Sequence, residues 1–153
     1  MKPMSEQKVL KIFEDNKYEI KGVKTFETND GYAFNLNLYK DKKLLGRVSN
    51  GGYGGGNEYD FGDEDITKLE KLYEGYVESQ YKLKWSIDLI IDVAMEMQGL
   101  MKIVKRGRKT KTYFQVKGLE NNECKVLNRT FEPKIKEFLV KKYGEDVVIL
   151  NER

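Results

Sequence analysis

Phe34, Leu36 and Leu38 alternate with Asn35, Asn37 and Tyr39, and no other feature constrains the fold of this chain as tightly. Successive side chains of a strand point to opposite faces of a sheet, so apolar residues at every second position mark a strand with one buried face. The same period is visible at Tyr18 and Ile20. Asn29-Asp30-Gly31 and Lys40-Asp41-Lys42 supply turn chemistry on either side of the clearest run. Residues 18–27, 31–40 and 43–49 are therefore predicted to form a three-stranded antiparallel meander, with residues 59–61 adding a short fourth strand.

Elsewhere the apolar spacing is helical. Ser5 caps a first predicted helix that buries Val9, Leu10 and Phe13 and runs to about Asp15. Asp63 is the predicted N-cap of a second, with Ile66, Leu69, Leu72, Tyr73, Tyr76 and Val77 on one face and acids crowding its amino end. Ser86 caps a third helix to about Val104, in which Trp85 and Ile90 suit a hydrophobic staple. Its buried stripe is predicted as Ile87, Ile90, Ile91, Ala94, Met97, Met101 and Val104, and Leu89 and Val93 call for burial on a second side. Gly107 follows its last basic turn.

Tyr113, Phe114 and Val116 pair with residues 125–127 as a second hairpin across residues 118–122. Pro133 opens a final helix that turns Ile135, Phe138, Leu139 and Tyr143 inward before Gly144 ends it, and residues 146–150 return as a closing strand. The expected fold class is α+β in a single domain over residues 1–153: an antiparallel meander, two helices, a second hairpin and a C-terminal helix.

Composition excludes several chemistries. The 153 residues include no histidine and one cysteine, Cys124, which removes the commonest general base, Ser-His and Cys-His nucleophiles and any tetrahedral zinc site within one chain. An intramolecular disulfide is impossible, no apolar signal core opens the chain, and charges interrupt every apolar stretch, so a cytoplasmic protein without membrane association is expected. The net charge of +3 conceals an asymmetry: residues 58–80 hold eight acids and two bases, whereas residues 102–118 hold seven bases and no acid.

Residues 51–56 are glycine at five of six positions, flanked by polar and aromatic groups. Such a cluster costs conformational entropy and implies positive φ angles or close backbone approach. It contains neither a P-loop nor a dinucleotide fingerprint, and no cofactor is expected. Successive glycine amides can still form a nest for an anion, with Arg47, Asn50, Tyr53, Asn57 and Tyr59 placed to grip a polar or planar ligand around Gly51, Gly52, Gly54, Gly55 and Gly56. The alternative is a wide turn that only reverses the chain.

Two other clusters invite functional readings. Lys102, Lys105, Arg106, Arg108, Lys109 and Lys111, followed by Tyr113 and Phe114, resemble a nucleic-acid surface in which cations meet phosphates and rings stack on bases. The same cations are ordinary complements to a helix carboxyl end, and Phe114 or Tyr113 suits the core equally well. Asp60, Asp63, Glu64 and Asp65 could gather a divalent ion, but acids at a helix start already serve its dipole, and no metal site is expected. Ten tyrosines favour a protein that makes contacts with macromolecules.

Gly46, Val48, Asn50, Gly52, Gly54, Gly55, Asn57 and Tyr59 spell Gly-x-Val-x-Asn-x-Gly-x-Gly-Gly-x-Asn-x-Tyr. With the Ile, Leu and Asp of residues 87–91, the basic strand 109–114 and the ending 139–145, this order resembles a type of small accessory protein encoded by bacteriophages. Glu132 departs from it, since Thr would be expected before Pro133. The resemblance implies no particular activity; it implies a phage accessory protein, and many of these bind and disable host components. The leading expectation is thus a non-enzymatic counter-defence inhibitor that binds a host protein or sequesters a nucleotide-like ligand through the glycine loop. Nucleic-acid binding through Lys105, Arg106, Arg108, Lys109 and Lys111 comes second, and a carboxylate and metal dependent enzyme third. A homo-oligomer stays open.

Overall fold

The computed structural model describes residues 2–29, 31–79, 81–116, 119 and 123–152. Its elements run β1 (Lys2–Met4), α1 (Glu6–Asp15), β2 (Tyr18–Thr28), β3 (Gly31–Lys40), β4 (Lys43–Asn50), β5 (Glu58–Tyr59), α2 (Asp63–Lys71), β6 (Tyr76–Glu78), α3 (Ile87–Gly107), β7 (Thr112–Gln115), β8 (Lys125–Leu127), α4 (Pro133–Tyr143) and β9 (Val148–Ile149). The fold is α+β. By contact density the chain divides into two compact units, residues 1–95 and 96–153, with α3 contributing residues to both.

In the first unit the expected meander is present as an antiparallel sheet in the order β2-β3-β4-β5. Ile20 lies opposite Leu38, and Leu36 opposite Val48, so the alternation read from the sequence forms one apolar face. Bulges interrupt the ladder at residues 21–24 of β2 and at Leu45 of β4, opposite the step from Leu38 to Tyr39. The fourth strand is residues 58–59 rather than 59–61. Ser5 accepts a hydrogen bond from Lys8 N at 3.4 Å as the cap of α1, whose Val9, Leu10 and Phe13 are buried.

The second helix departs from expectation. It ends at Lys71, its N-cap is Gly62 rather than Asp63, and Tyr76 and Val77 leave the helical pattern to pair in parallel with Lys2 and Pro3. Gly75, at φ +84°, turns the chain from one conformation to the other. The strand partner lies more than seventy positions away in sequence, which local periodicity cannot reveal. Tyr73 remains buried and donates its hydroxyl to Val9 O at 2.8 Å, joining α2's end to α1.

The start of α3 has the expected Ser86 Oγ accepting from Leu89 N, at 3.4 Å, and a second contact that the sequence conceals. Glu70 of α2 accepts the Ile87 amide at 2.9 Å through Oε2. Trp85, Ile87, Ile90, Ile91, Val93, Ala94, Met97 and Val104 are buried, whereas Met101 is half-buried.

In the second unit β7 is the centre of a three-stranded antiparallel sheet, β8-β7-β9. Phe114, Ile135, Leu139 and Ile149 form its core. The expected hairpin pairing of β7 with β8 is present; its connection, residues 118–122, lies largely outside the described residues. Phe138, expected in the core, is about half exposed, because α4 directs Ile135 and Leu139 inward. Among the described residues no helix is long and apolar enough to cross a membrane.

Candidate functional site: the glycine-rich loop

Residues 51–57 connect β4 to β5, whose pairs Val48 with Tyr59 and Ser49 with Glu58 hold the two ends of the loop together. The loop is ordered by Asn50. Its Oδ1 accepts the Gly52 amide at 2.8 Å, closing an Asx turn, while Nδ2 donates to Gly55 O at 3.1 Å and to Asn57 Oδ1 at 2.9 Å. Asn57 passes the network on, donating through Nδ2 to Tyr59 Oη at 3.2 Å and to Asp92 Oδ1 at 3.5 Å. The Tyr59 hydroxyl in turn donates to Asp88 Oδ1. Burial, followed by the hydrogen bond to Asp88, holds this phenol well above its ordinary pKa. Burial also raises the pKa of Asp92; the Asn57 hydrogen bond opposes that shift and the Asp88 charge adds to it.

The glycines play distinct parts. Gly52 is buried at φ +77°, and a Cβ there would lie 2.8 Å from Ala33 N and 2.9 Å from the Thr28 side chain. Gly56 backs onto α3, where a Cβ would meet Asp88 Oδ2 at 2.9 Å. Gly54, at φ +85°, and Gly55 have open space around them. Tyr53 stands beside them with 78% of its surface exposed.

The structure therefore gathers Asn50, Gly52, Gly56, Asn57 and Tyr59 but not the whole predicted group. Arg47 lies opposite Asn37 in the ladder, on the face away from Val48 and Tyr59, so it does not converge with the loop's polar groups. Asn50, Asn57 and Tyr59, expected to grip a ligand, instead bond to the loop itself and to α3. Beneath the loop are two carboxylates, Asp88 and Asp92, which make an unfavourable floor for phosphate. Sequence reasoning misses these acids. Their one warning is a like-charged pair four positions apart at the start of an apolar helix, an arrangement that normally costs stability.

The basic segment is built differently. Lys102, Lys105, Arg106, Lys109 and Lys111 are exposed, and none of these five forms an ion pair among the described residues. Arg108 is half-buried. Tyr113 and Phe114, which suit either base stacking or the core, are buried, the first against Gly107 and the second in the core of the second unit. Among the described residues no group of three or more Asp, Glu or Cys side chains is arranged to hold a metal. Asp63, Glu64 and Asp65 occupy the first turn of α2, where Glu64 faces Lys68 at 3.8 Å.

Comparison with protein families, curated proteins and solved structures yields no match.

Proposed function

We propose that this is a non-enzymatic binding protein that engages a partner protein through the glycine-rich loop, in the manner of a phage counter-defence factor acting on a host component in the cytoplasm. The carrying observation is an ordered loop with an exposed tip: Asn50 bonds to its backbone at Gly52 and Gly55 and to the Asn57 side chain, while Tyr53, Gly54 and Gly55 face open space. Preorganised backbone lowers the entropy lost on association, and an exposed tyrosine supplies a large amphipathic contact with few rotatable bonds. A nucleotide-like ligand fits less well, because the loop's polar side chains already have partners and carboxylates lie below it.

A photo-crosslinking amino acid at position 53 tests the proposal in a bacterial lysate. The expected result is a discrete protein adduct from position 53 that is absent when the same group replaces Phe138 on α4. Equal labelling from both positions would refute it.

A second reading is nucleic-acid binding by the basic segment. It is favoured by the exposed cations Lys102, Lys105, Arg106, Lys109 and Lys111, which have no ion pair among the described residues. Contact would be with phosphates alone, since Tyr113 and Phe114 are buried.

A further inference from the structure

One face of the four-stranded sheet is buried: Ile20, Leu36, Leu38 and Val48 lie on it, and Tyr59 turns the same way to reach Asp88 of α3. Asn35 and Asn37, between the buried residues of β3, point to the opposite face, and so do the residues that register sets beside them. The outward face is thereby ordered in rows that cross the sheet. Lys24, Asn35, Ser49 and Glu58 form one row, from β2 to β5. Lys21, Asn37 and Arg47 form the next, which Asp60 completes by donating its amide to Arg47 O at 2.9 Å. Beyond these two rows Tyr39 lies opposite Leu44. The five charged residues of the two rows are exposed, Asn35, Asn37 and Ser49 are half-buried, and Leu44 is 58% exposed.

Charge changes sign from one edge of this face to the other. Lys21 and Lys24 stand on β2, Glu58 and Asp60 at β5, and Arg47 between them. Lys24, Arg47, Glu58 and Asp60 form no ion pair among the described residues, and the ion pair of Lys21 is with exposed Glu19, at 3.8 Å. The two edges are three strand spacings apart, about 14 Å, so the ends of one row cannot neutralise each other. A second copy can. Turned by a two-fold axis parallel to the strands, its sheet sets β2 over β5 and β3 over β4. Lys24 then meets Glu58, Lys21 meets Asp60, Asn35 meets Ser49, Asn37 meets Arg47 and Tyr39 meets Leu44, and symmetry makes each contact twice. An axis across the strands instead sets β2 over β2 and brings bases against bases.

We infer that the outward face of the β2-β3-β4-β5 sheet is an isologous interface between two copies of this chain, with its two-fold axis along the strands. Aligned sheets cross at about 30°, which keeps facing rows within reach. The glycine loop takes no part in this contact, so the dimer and the loop reading stand or fall separately.

Sedimentation equilibrium of the full-length protein over a dilution series tests this, with Lys24→Glu, Glu58→Lys and the double variant Lys24→Glu/Glu58→Lys first checked for native circular dichroism. The wild type should show a reversible monomer–dimer equilibrium that weakens as salt is added. Each single reversal sets like charges together at two contacts and should raise the dissociation constant by about tenfold or more. The double variant should regain association, and an equimolar mixture of the two single variants should form heterodimers, because opposite charges then face each other at both contacts. A wild type that stays monomeric at every concentration would overturn the inference, as would a dimer indifferent to both single reversals. So would a loss that neither the second substitution nor mixing restores, since it would not come from Lys24 meeting Glu58.

Discussion

At the scale of single residues, the glycines of one loop are not equivalent. Gly52 sits in the left-handed region with Ala33 and Thr28 against it, whereas Gly55 has neither constraint. Gly52→Ala should destabilise the protein by about 1–3 kcal/mol through backbone strain and overlap, while Gly55→Ala should be neutral or stabilising by up to about 1 kcal/mol through the unfolded state. Urea denaturation of the two variants checks this, and equal losses would contradict it. Asp92 allows a pH prediction. Its folded-state pKa lies above the ordinary 3.8, so the folded protein holds this proton more tightly than the unfolded chain does. The associated stability is full below pH 3.8 and is lost as pH rises through the folded value. Asp92→Asn, which can still accept from Asn57, should remove that decline. The wild-type stability measured relative to this variant should fall as pH rises from 3.8; a difference that is constant with pH would contradict the assignment.

At the scale of elements, long-range contacts hold segments that local sequence leaves undecided. Asn151, beyond β9, accepts the Tyr113 amide at 2.7 Å and donates to Lys111 O at 2.8 Å, while Thr130 Oγ1 donates to Lys109 O at 3.1 Å. These bonds fix the route from α3 into β7. Asn151→Ala leaves the Tyr113 amide without its partner and should cost about 1–3 kcal/mol, read by chemical denaturation. Amide exchange at Tyr113 should accelerate in the same variant; unchanged protection there would show that Asn151 does not hold the strand. The pairing of β1 with β6 follows the same logic, since Tyr76 and Val77 have helical spacing but take strand geometry once Lys2 and Pro3 lie alongside.

At the scale of the whole molecule, charge is divided along the chain. Residues 1–95 carry 14 bases against 17 acids (−3), and residues 96–153 carry 14 bases against 8 acids (+6). If the basic segment binds duplex DNA, log affinity should fall with log salt at about −0.9 per phosphate contacted, and reversing both Arg106 and Lys109 should make that slope shallower by about 2. Mobility shifts across a salt series provide the check, and no retardation at low salt would end this reading. Much of the fold is legible in the amino-acid pattern: period-two alternation at residues 34–38 and the helical stripe of α1 report burial directly, and those of α3 and α4 do so except at Met101 and Phe138, because each follows from backbone geometry. The loop is legible as a glycine cluster but not as a site. Alternation on β4 already separates Arg47 from Asn50, yet only packing reveals that Asn50, Asn57 and Tyr59 bond inward to one another and to Asp88 and Asp92. Sequence by itself determined most of the buried residues of these periodic segments and the turns of the meander, with Met101, Phe138 and the turn at Gly75 as departures, since periodicity and turn chemistry depend on neighbours a few positions apart. Tertiary structure decided that Val77 is in a strand, chose the core over base stacking for Tyr113 and Phe114, and placed acids under the loop, because each depends on groups brought together from distant parts of the chain.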